Sequence, residues 1–587
     1  MFHRNTVTKG RGDYRPSGAE RALVGREYGS GHRASKAKKR LVSSPPPYYN
    51  PPNSRIYVRG VIDVQIQNSR RAFAARRPAM RIASDVSVVI LGAGFGGLCM
   101  AIKLREAGLE DFLILEKSSR AGGTWRDNTY PGCACDIPSH LYSYSFAQDA
   151  GWTRRYAPQS EILAYIHAVI RKHGLEDRIL HDTTVSSLVW DDDTRLWTIT
   201  TADGRTILAR ALVSAVGGLH DPAYPDIPGL DEFKGEAFHT SRWRHDIDLT
   251  GKRVAVIGSG ASAIQVIPEI APRVASLQVY QRTPPWILPR NDRGYSTVER
   301  LAFRHVPGLL RATRALHYWN AEMMALGFVV RPGWMRAVEK RALRFLERSV
   351  PDAALRKKLV PTYRMGWKRV LLSNTYYPTL SQPHVELVTD RIARLTSDAI
   401  VSRNGARRPV DVVVYATGFR PFYQSLDIEI RGREGRRLAD EWKDGPQAYR
   451  GVSVSGFPNY FLLMGPNSAV GHNSIIFMIE CQARYIIQCL SWLESGKLDA
   501  VDVRPEVQAD YNRAIREGFD GTVWQDKDEP RSSGSWYVHP SGRHTVIWPG
   551  FSTSYWFSTR RANPTDYVPH HVASPALPAE TPLRRAA

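Results

Sequence analysis

The sequence predicts an α/β fold built from two copies of one strand–loop–helix unit, and three observations support this. A short apolar run leads into a G-x-G-x-x-G loop at residues 86–97, and a similar run leads into a G-x-G-x-x-A loop at residues 253–263. After the second unit, residues 295–360 have a helical pattern with few strand formers. Apolar strands that enter glycine turns before helices are typical of parallel sheets covered by helices. Both units are therefore predicted to be Rossmann-like dinucleotide-binding domains, with a helical insert.

Length and composition allow such an architecture. A chain of 587 residues exceeds one ordinary domain, and a hydrophobic content of 43% is enough for substantial cores. The cysteines are Cys99, Cys133, Cys135, Cys481 and Cys489. This odd, sparse set has no disulfide framework and no paired zinc-ligand spacing, which predicts a reducing, cytoplasmic setting and no metal site. No uncharged apolar run of about 18 residues occurs, so no transmembrane helix is predicted.

The N-terminal segment, residues 1–85, carries more than half of the excess positive charge. It contains 18 lysines and arginines and 5 acidic residues, a net charge of +13 out of +23 for the chain. Its Arg, Lys, Gly, Ser and Pro content predicts a disordered basic tail. One interpretation is a tail that binds nucleic acid or a membrane surface. We favour the alternative that translation starts at Met80, just before the first strand, and we expect no nucleic-acid partner.

The first unit begins with Val86–Leu91, an apolar β-branched run suited to a buried strand. Gly92 allows the tight turn, Gly94 lets a pyrophosphate approach the backbone, and Gly97 lets the helix pack against the strand. The helix N-terminus that follows offers backbone N–H groups to phosphates. Glu116 ends the next apolar run, 19 residues after Gly97, where an acid binds the adenosine ribose hydroxyls. These features predict a site for a dinucleotide without a 2′-phosphate.

A loop rich in glycine and aromatic residues follows at residues 122–136. Gly123, Thr124 and Trp125 lie near its start, and Asp136 closes it. This composition predicts backbone that packs closely against a flat ligand. Asp136 has two interpretations, a site residue or a cap of a following helix, and its place beside the aromatic loop favours the site.

The second unit differs from the first at the end of its second strand. After the strand Arg253–Ile257, the glycine loop and the start of its helix contain Gly258, Ser259, Gly260 and Ser262. In place of an acid, Arg282 and Thr283 follow the next strand. A guanidinium attracts a 2′-phosphate and can bind it with two hydrogen bonds, whereas an acid would repel it. The second loop therefore predicts NADP, with an ordinary surface position for Arg282 as the alternative.

The remainder of the chain predicts the other parts of both domains. Residues 185–218 alternate like a β-meander, and the helical insert is expected to cover a cleft or, alternatively, to lie on a membrane surface. Glycine turns at Gly418 and before Asn467 are expected on the far side of the first cofactor. The predicted boundaries are a basic tail at residues 1–85, the first domain at 86–228 and again at 391–560, the second domain at 229–390, and a disordered tail at 561–587.

Three motifs then identify a family resemblance. The linker between the units is Phe233-x-Gly235-x-x-x-His239-x-x-x-Trp243. The aromatic loop is Gly123-x-Trp125-x-x-x-x-Tyr130-Pro131-Gly132-x-x-x-Asp136, and Asp411 precedes Ala416-Thr417-Gly418. Together these motifs resemble the signatures of type I Baeyer–Villiger monooxygenases, the class B flavoprotein monooxygenases, over about residues 86–560.

The resemblance implies FAD in the first domain and NADPH in the second. NADPH would reduce FAD, dioxygen would add to give a C4a-peroxyflavin, and oxygen would be inserted beside the carbonyl of a ketone or aldehyde to form an ester or lactone. The implied FAD contacts are Gly92, Gly94, Gly97, Glu116, Gly123, Thr124, Trp125, Asp136, Tyr142, Gly418 and Asn467. The implied NADP contacts are Gly258, Ser259, Gly260, Ser262, Arg282, Thr283, Lys368 and Arg369.

The resemblance also implies roles for individual side chains. Arg369 resembles the arginine that stabilises the anionic oxygen, and Asp136 resembles the acid that orients that arginine. Lys368 would join Arg282 on the 2′-phosphate. By the same resemblance, His239 and Trp243 would couple the two domains. Trp536 would cover the nicotinamide and the substrate.

One departure keeps an alternative open. The linker motif usually closes with Pro or Asp, and here the residue is Arg244, so an N- or S-oxygenating flavin-containing monooxygenase is the nearest alternative. A pyridine nucleotide–disulfide reductase shares the two nucleotide folds, but no Cys-x-x-Cys pair follows the first unit. A non-enzymatic nucleotide- or nucleic-acid-binding protein would depend on the basic tail.

Overall fold

The computed structural model describes residues 85–420, 427–525 and 534–569. All of the predicted basic tail except its last residue, and residues 570–587 of the predicted C-terminal tail, lie outside these ranges. Helices and parallel strands alternate through the described chain, so the predicted α/β fold class is confirmed. Within these ranges, no helix is both long and apolar enough to cross a membrane.

Most of the strands are short, and the central ones are buried, β-branched runs that suit the interior of a parallel sheet. In chain order the strands are β1 (Val86–Leu91), β2 (Phe112–Leu115), β3 (Ile179–Leu180), β4 (Val185–Asp191), β5 (Leu196–Thr201), β6 (Thr206–Ser214), β7 (Glu236–His239), β8 (Arg253–Ile257), β9 (Ser276–Tyr280), β10 (Ile287–Leu288), β11 (Leu371–Leu372), β12 (Val385–Val388), β13 (Ile392–Leu395), β14 (Ala399–Ser402), β15 (Arg407–Pro409), β16 (Val412–Tyr415), β17 (Glu429–Arg431) and β18 (Tyr460–Leu462).

The helices connect these strands and form the insert. In chain order they are α1 (Phe95–Glu106), α2 (Thr124–Asp127), α3 (Gln159–Lys172), α4 (Ala261–Ile270), α5 (Thr297–His305), α6 (Leu309–Ala325), α7 (Met335–Ser349), α8 (Ala353–Leu359), α9 (Tyr376–Leu380), α10 (Leu438–Glu441), α11 (Ile475–Glu494), α12 (Pro505–Glu517) and α13 (Ser552–Thr559).

The first sheet has eight strands in the order β17-β4-β5-β6-β1-β2-β3, with β18 also paired to β6. β1 lies between β2 and β6 and is parallel to both, with Val89 opposite Leu212 of β6. Val88 and Ile90 pack into one hydrophobic cluster and Val89 into another, so the sheet is covered on both faces. β4, β5 and β6 form the antiparallel meander that the alternating pattern predicts.

The second sheet has the order β12-β9-β8-β16-β7, and every neighbouring pair is parallel. β16 lies between β8 and β7, with Val414 opposite Val256 of β8. Assigning residues 391–560 to the first domain is therefore wrong for β16, whose backbone hydrogen bonds complete the second sheet. β13, β14 and β15 form a small antiparallel sheet, and Leu395 and Ile400 share a hydrophobic cluster with β8 and β16. This region also belongs with the second unit.

The insert is helical, as its sequence pattern predicts, and consists of α5 to α8. α5 begins at a capping box, in which the Glu299 N–H donates to Ser296 Oγ at 3.2 Å and the Ser296 N–H donates to Glu299 Oε2 at 2.9 Å. One π-helical turn, Leu326–Val330, follows α6. Phe328 in that turn packs against Trp524 with ring centres 5.8 Å apart, so the insert contacts the C-terminal region.

The start of the predicted C-terminal tail is ordered in this structure. Tyr567 is only 1% exposed, and its hydroxyl lies 2.9 Å from that of Tyr485 in α11. A β-bridge joins Tyr567 to Val503. The prediction of disorder from residue 561 is therefore wrong for residues 561–569, because the tyrosine anchors this segment in the core.

Candidate active site

The first glycine loop joins β1 to α1 through bare backbone. Gly92 has a φ of +98°, and a Cβ on it would lie 2.9 Å from the Ala215 carbonyl oxygen. A Cβ on Gly97 would lie 1.9 Å from the Gly92 carbonyl oxygen, so no larger residue fits there. Among the described residues, no side chain caps the N-terminus of α1 at Gly94. The loop therefore leaves the helix N-terminus to an anionic ligand such as a pyrophosphate.

Glu116 follows β2 and lies directly against this loop. Its carboxylate accepts hydrogen bonds from the Ala93 N–H at 2.9 Å, the Ser118 N–H at 3.0 Å and Arg126 Nη1 at 2.8 Å. Only 4% of the residue is exposed. The acid that the sequence predicts for the ribose is thus held beside the pyrophosphate loop by the protein itself.

Gly123 brings the aromatic loop against the first glycine loop. It has a φ of +52°, and a Cβ on it would lie 3.2 Å from the Gly94 Cα atom. Trp125, one residue after the start of α2 at Thr124, donates from Nε1 to the Tyr142 hydroxyl at 3.2 Å, with ring centres 5.6 Å apart. The two loops form a backbone cradle beside aromatic rings. A cradle that side chains would fill fits a large, planar dinucleotide such as FAD.

Asp136 and Arg369 form a bidentate ion pair between the end of the aromatic loop and the segment before β11. Arg369 Nε donates to Asp136 Oδ2 at 2.7 Å, and Nη2 donates to Oδ1 at 2.6 Å. Each side chain is 27% exposed. No helix in the described chain begins at Asp136, so its alternative role as a helix cap is excluded.

Both members of this pair are charged. Burial raises the pKa of Asp136, but the Arg369 guanidinium outweighs burial and brings the pKa below its ordinary value. Burial likewise lowers the pKa of Arg369, and the Asp136 carboxylate more than compensates for it. The site therefore contains a positively charged guanidinium whose orientation is fixed by two hydrogen bonds to Asp136.

The second glycine loop joins β8 to α4 in the same way as the first. Gly258 has a φ of +125°, and a Cβ on it would lie 2.3 Å from a backbone oxygen just after β16. The Ser259 hydroxyl donates to the Thr283 carbonyl oxygen at 3.0 Å, which ties this loop to the turn after β9. Gly260 and Ser262 lie at the N-terminus of α4. This arrangement again fits a pyrophosphate at a helix N-terminus.

Arg282 lies in the turn after β9 and is exposed. Its Nη2 atom lies 3.3 Å from the position of a Cβ on Gly534, next to the loop that carries Trp536. The ring of Trp536 packs against Tyr537, and 46% of the residue is exposed. Arg282 and Trp536 thus lie on the same side of the second unit, at a surface open to a ligand.

The segment with Lys368 and Arg369 is attached to the same loop. The Ser535 hydroxyl donates to the Trp367 carbonyl oxygen at 2.9 Å. Lys368 Nζ lies 5.0 Å from the centre of the Tyr363 ring. The loop before Trp536 therefore contacts Arg282 and Trp367. Arg282 and Lys368, which follows Trp367, are the residues predicted to bind the 2′-phosphate.

His239 is buried at the end of β7, beside the place where the chain crosses between the two sheets. Its Nδ1 accepts a hydrogen bond from the Ser241 N–H at 3.1 Å, and its ring packs against Tyr224 and Phe419 with centres 5.7 Å apart. Burial lowers the pKa of His239 to about 4, so the imidazole is neutral at pH 7. Its predicted role in domain coupling stays a prediction.

Gly418 lies in this crossing. Its carbonyl oxygen accepts a hydrogen bond from the Ala223 N–H at 2.9 Å, and the Thr417 hydroxyl donates to the Ala223 carbonyl oxygen at 2.5 Å. Gly418 follows β16, which belongs to the second sheet, so it does not follow a strand of the first sheet. Its FAD contact stays a prediction. Trp243 packs edge-on against Phe238 of β7, with ring centres 5.1 Å apart.

Asn467 uses its side chain to hold the C-terminal loop. Its Nδ2 donates to the carbonyl oxygens of His544 at 2.8 Å and Ile547 at 3.0 Å, and its backbone N–H donates to the Thr545 carbonyl oxygen at 2.9 Å. The amide nitrogen is therefore committed to protein contacts. A contact of Asn467 with FAD stays a prediction.

Sequence reasoning missed Gln265 of α4, which connects the two units. It accepts a hydrogen bond from the Tyr130 hydroxyl at 2.9 Å and donates from Nε2 to the Ala134 carbonyl oxygen at 3.0 Å. A Cβ on Gly132 would lie 2.8 Å from the Gln265 carbonyl oxygen. The aromatic loop of the first unit is thus bonded to the helix that follows the second glycine loop. No local pattern in the sequence predicts this contact.

Arg244, the departure from the linker motif, lies outside this site. It is exposed, and its Nε donates to Asp246 Oδ1 at 2.8 Å. Cys133 and Cys135 are buried, and burial raises the pKa of Cys133 to about 12 and that of Cys135 further. A thiol that stays protonated is a poor redox or metal-binding group. In the described part of the chain, no cluster of histidine, cysteine and acidic residues could hold a metal ion.

Two dinucleotide loops, an aromatic cradle and a fixed guanidinium define the class of protein as a flavin-dependent oxidoreductase that uses a pyridine nucleotide. A profile of the family described as pyridine nucleotide-disulphide oxidoreductase matches residues 89–299. Relatives named Baeyer-Villiger monooxygenase occur in Pseudomonas aeruginosa, 44% identical over 85% of this chain and 94% of theirs, and in Streptomyces coelicolor, 41% identical over 85% and 97%.

Solved structures give the same result. The chain is similar to OTEMO in complex with FAD and NADP, with a TM-score of 0.74 and 26% identity over 82% of this chain and 98% of that one. It is also similar to cyclohexanone monooxygenase from Rhodococcus sp. Phi1 bound to NADP+, with a TM-score of 0.72 and 28% identity over 81% and 96%. The chain belongs to the Baeyer–Villiger monooxygenase family. It is a flavoprotein monooxygenase with FAD and NADP as cofactors. Membership of this family supports oxygen insertion beside a carbonyl rather than N- or S-oxygenation.

Proposed function

We propose that this enzyme converts ketones into esters or lactones at a site where Arg369, oriented by Asp136, supplies a positive charge in a fixed position. The bidentate ion pair, with donor–acceptor distances of 2.6 and 2.7 Å, is the observation that carries this proposal. Ketone oxygenation develops negative charge on oxygen atoms, and a guanidinium held in place before the reaction stabilises such charge without reorganisation.

The two nucleotides have separate holding sites in this proposal. The backbone around Gly92, Gly94 and Gly123 and the carboxylate of Glu116 would hold FAD. When bound there, FAD would supply the redox chemistry, namely acceptance of a hydride equivalent from NADPH and activation of the dioxygen that supplies the inserted oxygen atom. Arg282, with the backbone at Gly258, would hold the phosphates of NADPH.

Asp136 acts through Arg369 rather than on the substrate. Its carboxylate accepts two hydrogen bonds from the guanidinium, so the Arg369 side chain cannot rotate without breaking both. Since the pKa of Asp136 lies below its ordinary range, the carboxylate stays ionised at neutral and weakly acidic pH. The orientation of Arg369 is therefore constant over the pH range in which the enzyme is expected to work.

The Trp536 loop is proposed to cover the nicotinamide and the substrate. Gly534 lies beside Arg282, and Ser535 is bonded to Trp367, so the loop reaches both the nucleotide turn and the Arg369 segment. An exposed indole at this position can close over an apolar ketone and exclude water from it.

The proposal is tested with purified holoenzyme, NADPH, isotopically labelled dioxygen and a panel of ketones, aldehydes and sulfides. We expect NADPH consumption that depends on the ketone, and one labelled oxygen atom in the ester or lactone product. Sulfoxides or N-oxides as the only products, with no ester from any ketone, would contradict the proposal. A reaction without added ketone measures the background oxidation of NADPH.

A further inference from the structure

Helix α6 of the insert buries two charged side chains and exposes three large apolar ones. Arg314 and Glu322 are only 9% and 4% exposed. Leu316, Trp319 and Met323 are 60%, 58% and 61% exposed. At 3.6 residues per turn, positions 316, 319 and 323 lie on one face of the helix. A surface helix normally turns its apolar face inward, so this outward apolar face indicates a partner that covers it.

The inward polar residues attach α6 firmly to the protein. Arg314 Nη1 donates to three backbone carbonyl oxygens, those of His140, Leu141 and Ser143, at 2.7–3.1 Å. Glu322 accepts hydrogen bonds from Asn473 Nδ2 at 2.9 Å and from the Ser552 N–H at 3.1 Å. It also accepts hydrogen bonds from the N–H and the hydroxyl of Thr553. Because these bonds satisfy both buried charges, the helix cannot turn over to hide its apolar face.

The apolar face continues onto α13. The Tyr318 hydroxyl lies 2.8 Å from Thr553 Oγ1, which joins the two helices. A cleft beside them is lined by Trp319 of α6, Arg484 of α11 and Trp556 of α13. We call the following set the outer face: Arg311, Leu316, Trp319, Met323, Arg484, Trp556, Phe557 and Arg560.

Arginines accompany the aromatic rings of the outer face. The guanidinium carbons of Arg484 and Arg560 lie 5.9 and 5.2 Å from the centre of the Trp556 ring. Phe557 is 62% exposed beside them, with its ring centre 4.9 Å from that of Trp556. Arg311 lines the same cleft. Aromatic rings next to arginines are typical of surfaces that meet the boundary between lipid headgroups and acyl chains.

The positive charge of the insert favours an anionic partner. Residues 295–360 contain 13 lysines and arginines and 5 acidic residues, a net charge of +8. The acid of α6, Glu322, is buried, so this helix presents no negative charge outward. A second copy of the chain docked on the same face would place arginines against arginines. An anionic surface with an apolar interior matches both the charge and the exposed side chains.

We propose that the outer face docks the enzyme onto an anionic lipid bilayer. Leu316, Trp319, Met323 and Phe557 enter the boundary between headgroups and acyl chains, and the arginines of the outer face contact lipid phosphates. Docking brings the enzyme to the phase in which apolar ketones concentrate, but it does not depend on which reaction the enzyme performs.

Vesicle flotation of the full-length holoenzyme tests the proposal. We compare vesicles of pure phosphatidylcholine with vesicles in which one-third of the lipid is phosphatidylglycerol. The test variant is Leu316→Ser/Trp319→Ser/Met323→Ser, with Trp319→Ser alone as a milder form. The matched control is Val189→Ser, since this valine of β4 is exposed at 38% on the first sheet, away from the insert. Every variant keeps the basic N-terminal segment, so its contribution to binding is constant.

We expect the wild type and Val189→Ser to float with the anionic vesicles, and the triple variant to bind about tenfold or more weakly. Retained FAD content and unchanged NADPH oxidation show that each variant is folded. Equal binding of the triple variant and the wild type would overturn the proposal, as would failure of the wild type to float. A wild-type dimer that dissociates in the triple variant, measured by light scattering without lipid, would overturn it in favour of a second copy.

Discussion

The two glycine-loop units have the same backbone arrangement but differ in the burial and hydrogen bonding of the residue that follows the second strand. In the first unit, Glu116 is 4% exposed and accepts hydrogen bonds from Ala93, Ser118 and Arg126. In the second unit, Arg282 is exposed and lies beside Gly534 at the start of the Trp536 loop. The acid of the first unit is thus held by hydrogen bonds within the protein, whereas the arginine of the second unit is exposed to solvent.

This difference matches the two tasks that we propose. A site whose polar groups are fixed in advance spends little entropy on ordering, which favours a tightly held, resident FAD. A site that depends on an exposed arginine and a neighbouring loop favours a cosubstrate that enters and leaves in each cycle, as NADPH does. Substitutions at the Asp136–Arg369 pair, at the acid of the first unit and at the arginine of the second unit test this contrast.

Arg369→Ala is expected to have the largest effect. Loss of the fixed cation should lower the rate of ester formation by about 10²–10³-fold, while NADPH still reduces FAD. Product analysis measures the first quantity, and anaerobic bleaching of the flavin measures the second. Asp136→Asn is the control: it keeps the shape but removes the charge, so a smaller loss is expected. Ester formation at the wild-type rate in Arg369→Ala would remove this residue from the chemistry.

Glu116→Gln tests the preformed site. The amide keeps the shape of the side chain but loses the charge that supports several hydrogen bonds. We expect FAD to bind about ten- to hundredfold more weakly, since hydrogen bonds to charged groups contribute about 1.5–3 kcal/mol. Equilibrium dialysis of the flavin measures the change. An unchanged FAD affinity, or an equal loss of NADPH affinity, would break the contrast between the units.

Arg282→Ala tests the open site. The KM for NADPH should rise by about tenfold, because an exposed guanidinium is partly screened by water. The KM for NADH, which has no 2′-phosphate, should stay the same, and FAD content should not change. Steady-state kinetics with both nucleotides provide the measurement. A similar rise for NADH and NADPH would show that Arg282 does not contact the 2′-phosphate.

Gln265→Ala tests the bond between the units and should have the smallest effect. The substitution removes the hydrogen bonds from Tyr130 and to Ala134. We expect a two- to fivefold lower kcat, at a cost of about 1 kcal/mol for the lost bonds, with both cofactor affinities unchanged. Tyr130→Phe removes one of these bonds, and the double variant should show that the two effects are not additive. Additive effects would indicate that the residues act separately.

Local patterns predicted most of the elements but fewer of the relations between them. The strand–loop–helix units could be predicted because glycine spacing and apolar runs determine them over a few residues. The Asp136–Arg369 pair followed from a family resemblance, and the structure brings the two residues together although they are 233 positions apart. The roles assigned to these and the other site residues stay predictions until they are tested.

Three features had no local signal. β16 has the same apolar pattern as any buried strand, and only its pairing with β8 and β7 shows that it belongs to the second sheet. The segment at Tyr567 is rich in polar residues and proline, yet one buried ring holds it in place. Gln265 is one of three polar residues on a mostly apolar helix, and its partners come from another unit. Tertiary contacts decide each case.

The late pairing of β18 with β6 has a consequence for how the chain folds as it is made. Tyr460 lies opposite Leu212 in a parallel pair, so the first sheet is completed only after the whole second sheet and the insert have been synthesised. Contacts between such distant parts of a chain slow folding and leave strand edges unpaired in the meantime. A ribosome-bound chain that ends before residue 460 should therefore depend on chaperones, because its first sheet still lacks β18.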